Sequence, residues 1–154
     1  MLVNDAPSLD LTGSFTLTAW IKPDTLSGVQ TILIKESSDS CGYWLQTIGT
    51  EISSGFNSGS GCIDHRTTTA ALATGNWYHI AAVLDRSTDT FTVYLDGVSI
   101  LTEPESDAPA PNAEPLVLGR THADELWNGA LDDIRIYNRA LSAGEIAQVR
   151  QGAP

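Results

Sequence analysis

The chain has 154 residues, 42% of them hydrophobic, which suits one folded domain with a single core and excludes a disordered or fibrous chain. With 19 acidic against 8 basic residues, its formal charge of −11 repels phosphate backbones and anionic headgroups, so neither nucleic acid nor a membrane surface is an expected partner. No apolar run approaches the roughly 20 residues of a membrane helix. The N-terminal MLVNDAPSLD carries neither the basic nor the apolar stretch of an export signal, which is expected to lie outside these residues.

Along the chain, period-two alternation dominates and turn signals recur at short intervals, the pattern of an all-β sandwich or barrel. Phe15 to Lys22 is the first clear strand: Phe15, Leu17, Ala19 and Ile21 share one face, and Pro23, unable to donate to a ladder, stops it. Thr31 to Lys35 follows as a short buried run. Tyr43 to Ile48, a Gly49-Thr50 turn and Glu51 to Phe56 read as a hairpin whose open end brings Cys41 and Cys62 together. Two cysteines are too few for a structural zinc cluster, so a disulfide is expected, with two free thiols the alternative; the bridge implies an oxidising, extracellular compartment.

Trp77 to Leu84 is nearly continuous apolar sequence, as in a central strand covered on much of both faces. Thr90 to Ile100 alternates around Asp96-Gly97, which supplies the positive φ angles of a tight hairpin turn. Thr102 to Pro115, acidic and proline-rich, reads as a long loop. Leu116 to Gly119 resumes β structure, and Gly129 to Tyr137 is the last strand. One short helix is expected, because Ser142-Ala143-Gly144-Glu145 has capping-box spacing and Ile146 and Val149 follow as an apolar side. No segment is duplicated and no linker interrupts the pattern, so residues 1–154 read as a single domain.

The segments SLDLTGSFTLTAWIKP, GNWYHIAAVLD, FTVYLDGV, LVLGR and WNGALDDIRIYNRALSAGEI, in that order, resemble the laminin-G-like, concanavalin A-like jelly-roll modules common in secreted bacterial proteins. The resemblance runs from Asp5 to about Val149. It implies two antiparallel sheets packed face to face, often a structural calcium, and usually a non-catalytic role in glycan or protein binding. Such modules commonly sit beside glycoside hydrolases, polysaccharide lyases, sialidases or adhesins. Family members usually begin with a further half-strand carrying a Phe-Asp-Gly-like stretch before the equivalent of Val3; this chain begins at Met1, so either the fragment is cut short there or that edge strand is absent.

The residues speak against an enzyme. Glycosidases and lyases on concanavalin A-like folds use closely spaced carboxylates such as Glu-x-Asp-x-x-Glu, because alternate positions must project into one cleft, and that pattern is missing. Glu103 and Glu105 have the right spacing but are expected to be solvated in a loop among prolines. Asp132 and Asp133 are adjacent, hence on opposite strand faces, and the three histidines are scattered.

Asp132 shares its face with Ile134 and Ile136, so its carboxylate is expected to point toward the core near a rim, where a hard cation with oxygen ligands compensates it. In the resembled family this position sits near a bound cation in some members. The expected calcium shell is Asp132 with Asp5, Asp10 and Asn128; the alternative is that Asp132 accepts backbone N–H bonds and needs no metal.

Carbohydrate modules stack exposed aromatic faces on pyranose C–H groups and read hydroxyls with planar polar side chains. Trp20, Trp77 and Trp127 fall where the family pattern is itself aromatic and are assigned to packing. Trp44 differs, since alternation turns Tyr43 and Leu45 inward but Trp44 and Gln46 outward, and an exposed tryptophan suggests a job. Ser53 and Asn57 are placed outward by the same reasoning, with Arg66 or His65 alongside and Arg120 and His122 bordering from the loop after Leu118. The alternative is that Trp44 is capped by the proline loop and packs structurally.

The reading is thus a secreted, monomeric β-sandwich of jelly-roll type with one short C-terminal helix. It acts as a non-catalytic carbohydrate-binding module tethered to a polysaccharide-degrading enzyme. A protein-binding adhesion or scaffold domain is the alternative.

Overall fold

The computed structural model describes residues 1–37, 40–68, 72–121 and 125–152. Alternating segments pair into two antiparallel sheets. Sheet A runs in the order β1 (Leu2–Val3), β10 (Leu116–Leu118), β3 (Val29–Ser37), β4 (Ser40–Ile48), β5 (Glu51–Asn57) and β6 (Cys62–Arg66). Sheet B runs β11 (Gly129–Tyr137), β2 (Phe15–Pro23), β7 (Tyr78–Asp85), β8 (Thr90–Leu95) and β9 (Val98–Pro104). A 3-10 turn (Pro7–Leu9) precedes β2, and helix α1 (Ala143–Arg150) follows β11.

Between the sheets, Phe15, Leu17, Ala19 and Ile21 of β2 meet Leu33, Leu45, Ile52 and Phe56 of sheet A in one fully buried cluster. Phe15 lies edge-on to Phe56 and Phe91, at ring separations of 6.0 and 6.3 Å. Each such side chain contributes about 1.5–3 kcal/mol by leaving water. β7 occupies the centre of sheet B, as its continuous apolar run requires: Ile80, Ala82 and Leu84 enter the core, while Ala81 and Val83 pack on Leu141 and Ile146 outside it. Ser142 and Glu145 close both halves of the capping box on α1. The Asp96-Gly97 turn has φ angles of 50° and 81°, the left-handed pair its hairpin needs.

In its strands the structure departs from the sequence expectation at β9 and at β11. β9 continues through Pro104, so Thr102, Glu103 and Pro104 are strand where a loop was expected, because β9 is the edge of sheet B and Pro104, paired with Thr90 at the strand's end, is not required to donate inward. In β11 the register passes from Asp132 opposite Trp20 to Arg135 opposite Thr18, so one extra residue is inserted, with Asp133 at φ 47°. This bulge resets the alternation. Leu131, Ile134 and Ile136 all pack toward the core, and Asp132 is exposed rather than turned inward as expected.

Candidate functional site

Strand pairing lays two rows of outward side chains across sheet A. One row is Thr31, Gln46, Ser53 and Arg66; the next is Val117, Ile34, Trp44, Gly55 and Asp64. Three of them, Trp44, Gln46 and Asp64, converge on the Ser53 hydroxyl. Ser53 Oγ accepts from Trp44 Nε1–H (3.2 Å) and Gln46 Nε2–H (3.2 Å) and donates to Asp64 Oδ1 (2.6 Å). Asp64 and Arg66 are exposed, and Arg66 Nε–H donates to Glu51 Oε2 at 2.5 Å. The result is a shelf whose amide and carboxylate are held on one hydroxyl, with the guanidinium held beside them by Glu51.

Trp44 faces outward, as alternation predicts, but it is no open platform. It is 7% exposed and packs on Ile34 and Val117. Its six-membered ring lies over Gly55, where a Cβ would come within 2.5 Å of the indole, so the absence of a side chain at that position makes room for the ring. The expectation of an aromatic stacking surface is therefore corrected, and the face offers polar groups above a buried indole.

The other expected ligand residues divide. Gln46 and Arg66 belong to the shelf. Asn57 shares the face but is committed to structure: its amide N–H donates to the Cys41 carbonyl (3.0 Å) and its Oδ1 accepts from Gly59 N–H (2.7 Å). Beside it Cys41 and Cys62 form the expected disulfide, tying β4 to β6 across β5 with 6.1 Å between Cα atoms. Arg120 is exposed just beyond β10. His122 lies outside the described residues.

His65 points the other way, because it alternates with Asp64 and Arg66 on β6. It is buried, stacks on Phe91 at 4.0 Å, and places Nδ1 2.8 Å from Glu103 Oε2 and Nε2 3.1 Å from Glu105 Oε2. It cannot contact a ligand on the outer face. The two glutamates, expected to be solvated, instead clasp this ring and join β6 of sheet A to the far edge of sheet B.

The four expected calcium ligands do not meet. Asp5 and Asp10 hold the ammonium of Lys35, a side chain 1% exposed, at 2.9 and 3.0 Å. Asn112 Oδ1 accepts from the same nitrogen at 2.9 Å, as does the Asn112 carbonyl. Burial, with Asp10 and Asp5 nearby, pushes the Tyr43 hydroxyl beneath this cluster well above its ordinary pKa. Tyr43 packs on Phe15, the first residue of β2, whereas Asn128 precedes Gly129, which pairs with Pro23, the last. Nine residues of strand put those ends about 26 Å apart at roughly 3.3 Å per residue. Asn128 donates its backbone N–H to Gln30, and Asp132 accepts from Asp133 N–H. A lysine has taken the place of a cation at Asp5 and Asp10, so this set does not fit a single calcium ion.

Sequence reasoning missed Glu51 and Asp64. Both were legible, Asp64 from its i, i+2 spacing with Arg66 on β6 and Glu51 from its i, i+2 spacing with Ser53 on β5.

The topology is that of a jelly-roll sandwich, and a sequence-family model that spans residues 1–147 decides the family. The chain belongs to the concanavalin A-like lectin/glucanases superfamily. A laminin G family model described by that name matches residues 1–147. No curated protein matches the chain. Among solved structures, it is similar to a Bacteroides ovatus protein provisionally described as carbohydrate binding, with a TM-score of 0.78 and 21% identity over 96% of this chain and 43% of that one. Domain 4 of an extracellular arabinanase from Geobacillus stearothermophilus, solved with arabinotriose, matches with a TM-score of 0.73 and 23% identity over 94% and 69%. The CBM40 module of a Ruminococcus gnavus sialidase, bound to α2,3-sialyllactose, matches with a TM-score of 0.73 and 14% identity over 90% and 83%. At these identities the likeness is one of fold, and the chain spans less than half the length of the first of them. The superfamily member described here is thus a lectin-like jelly-roll sandwich, and carbohydrate-binding domains are among its neighbours.

Proposed function

We propose that this domain is a non-catalytic carbohydrate-binding module of a secreted polysaccharide-degrading enzyme, and that sugar lies on the outer face of sheet A. The supporting observation is the Ser53 hub. It fixes Gln46 and Asp64 on the face that also carries Arg66, so the groups that read hydroxyls are ordered before any ligand arrives. The disulfide supports an extracellular setting. A shallow polar shelf contacts few sugar atoms, so single-site affinity is weak and the module acts by keeping a tethered catalytic domain close to its polymer.

The test is retention on immobilised polysaccharides. Arg66→Ala and Asp64→Ala should each lower retention at least tenfold while the melting temperature stays within about 2 °C, since exposed substitutions usually cost under about 0.5 kcal/mol. Undiminished retention in both variants would remove the shelf from the function. Retention should be equal with calcium and with EGTA, because Asp5 and Asp10 are engaged by Lys35 and lie far from Asn128.

A further inference from the structure

We propose that the shelf selects neutral glycans over uronic or sialic acids, and that Glu51 is the residue that sets this preference. The inference rests on the glycan-binding reading. Ligands of both kinds occur on this fold, since one neighbour was solved with arabinotriose and another with sialyllactose. The choice therefore lies in side chains, and here the charges decide it.

A sugar carboxylate needs an available cation, best a guanidinium that it grips through two N–H groups. Arg66 is the cation on this shelf, and its Nε–H is already held by Glu51 Oε2 at 2.5 Å. Glu51 stands where a ligand carboxylate would stand. Asp64 is exposed and accepts Ser53 Oγ–H through Oδ1, and among the described residues Oδ2 has no hydrogen-bond partner, which leaves it open to a ligand. One cation against two carboxylates gives the shelf a net charge of −1. An incoming carboxylate is repelled by Asp64 and finds Arg66 neutralised. A sugar hydroxyl meets no such obstacle: it donates to Asp64 Oδ2 or Gln46 Oε1 and accepts from the remaining Arg66 N–H groups. Neutral sugars carrying adjacent hydroxyls fit this donor and acceptor set.

The experiment is affinity gel electrophoresis of the whole chain in neutral arabinan, galactan, xylan and β-glucan, and in acidic polygalacturonate and polysialic acid. Wild type should be retarded by at least one neutral polymer and by neither acidic one. Glu51→Gln removes one negative charge and releases Arg66, so affinity for the acidic polymers should rise about five- to tenfold at low salt, and the gain should fade as salt is raised. Asp64→Asn should shift the ratio in the same direction, and thermal melting of both variants verifies that they are folded. Retardation of wild type by an acidic polymer as strong as by any neutral one overturns the inference while leaving the glycan reading intact. So does an acidic-to-neutral ratio unchanged by both substitutions. Failure of wild type to bind any of the six polymers removes the glycan reading, and this inference with it.

Discussion

The two sheets treat their outer faces differently. On sheet B the outward residues of β7 and β2 near the helix are small, Ala81, Val83 and Thr16, and α1 with the segment before it settles directly on them. Thr16 stitches that roof down: its hydroxyl donates to the Arg139 carbonyl (2.9 Å) and accepts from Leu141 N–H (3.0 Å). On sheet A the outward residues include a flat indole, an amide and a carboxylate, which bond through Ser53, and a guanidinium, which bonds Glu51. Small outward side chains admit a helix; long charged ones, already hydrogen-bonded among themselves, keep their heads in water. The roofed face therefore serves stability, and the self-bonded face keeps groups available to a ligand.

Three substitutions or conditions test that contrast. The largest effect is expected on sheet A itself, beneath the shelf. Trp44→Ala should cost about 3–5 kcal/mol in urea unfolding, because the indole is as buried as a core residue and lies against Gly55, which has no side chain to fill the space it would leave. A loss below about 1 kcal/mol would mean the ring is an open platform after all. On sheet B, Ile146→Ala should cost about 2–4 kcal/mol by emptying the contact between α1 and β7, while glycan retention stays as in wild type. Lost retention there would show that the two faces are not separate in function.

The third effect is a pH dependence on the roofed side. His79, on the outward face of β7 against Trp20, has its pKa pushed down to about 4, chiefly by burial and further by Arg150 and Arg135, against Asp96 and Asp133. The folded state holds the ring neutral, so an unfolded chain takes up a proton at about pH 6.5 that the folded chain refuses. That stability is complete above about pH 6.5, falls as pH drops through the window down to about 4, and changes no further below it. Urea midpoints measured from pH 7 to 5 should decline in wild type, and the slope should flatten in His79→Leu. A slope equal in both would assign the acid sensitivity to carboxylates instead.

Much of this was legible in the chain. Alternation set the inward residues of β2, β4 and β5 and so turned Trp44, Gln46 and Ser53 outward. The cysteine spacing about a hairpin marked the disulfide, and Ser142 with Glu145 marked the helix start. These are local patterns, readable because a strand repeats every two residues and a capping box spans four. Misreadings arose where one extra residue or one distant partner intervened. The bulge at Asp133 reversed the facing of Asp132, and no local rule announces a bulge at an aspartate.

The sequence by itself determined the all-β class, the direction side chains leave the regular strands, the placing of Cys41 and Cys62 within reach of each other, and the family resemblance. Tertiary structure alone decided what those side chains meet. Trp44 faces outward yet is covered; Asp5 and Asp10 meet Lys35 from 30 and 25 positions away; His65 meets Glu103 and Glu105 across the gap between sheets. The physical reason is that backbone geometry repeats along the chain, whereas burial and charge pairing depend on which distant segments packing brings together.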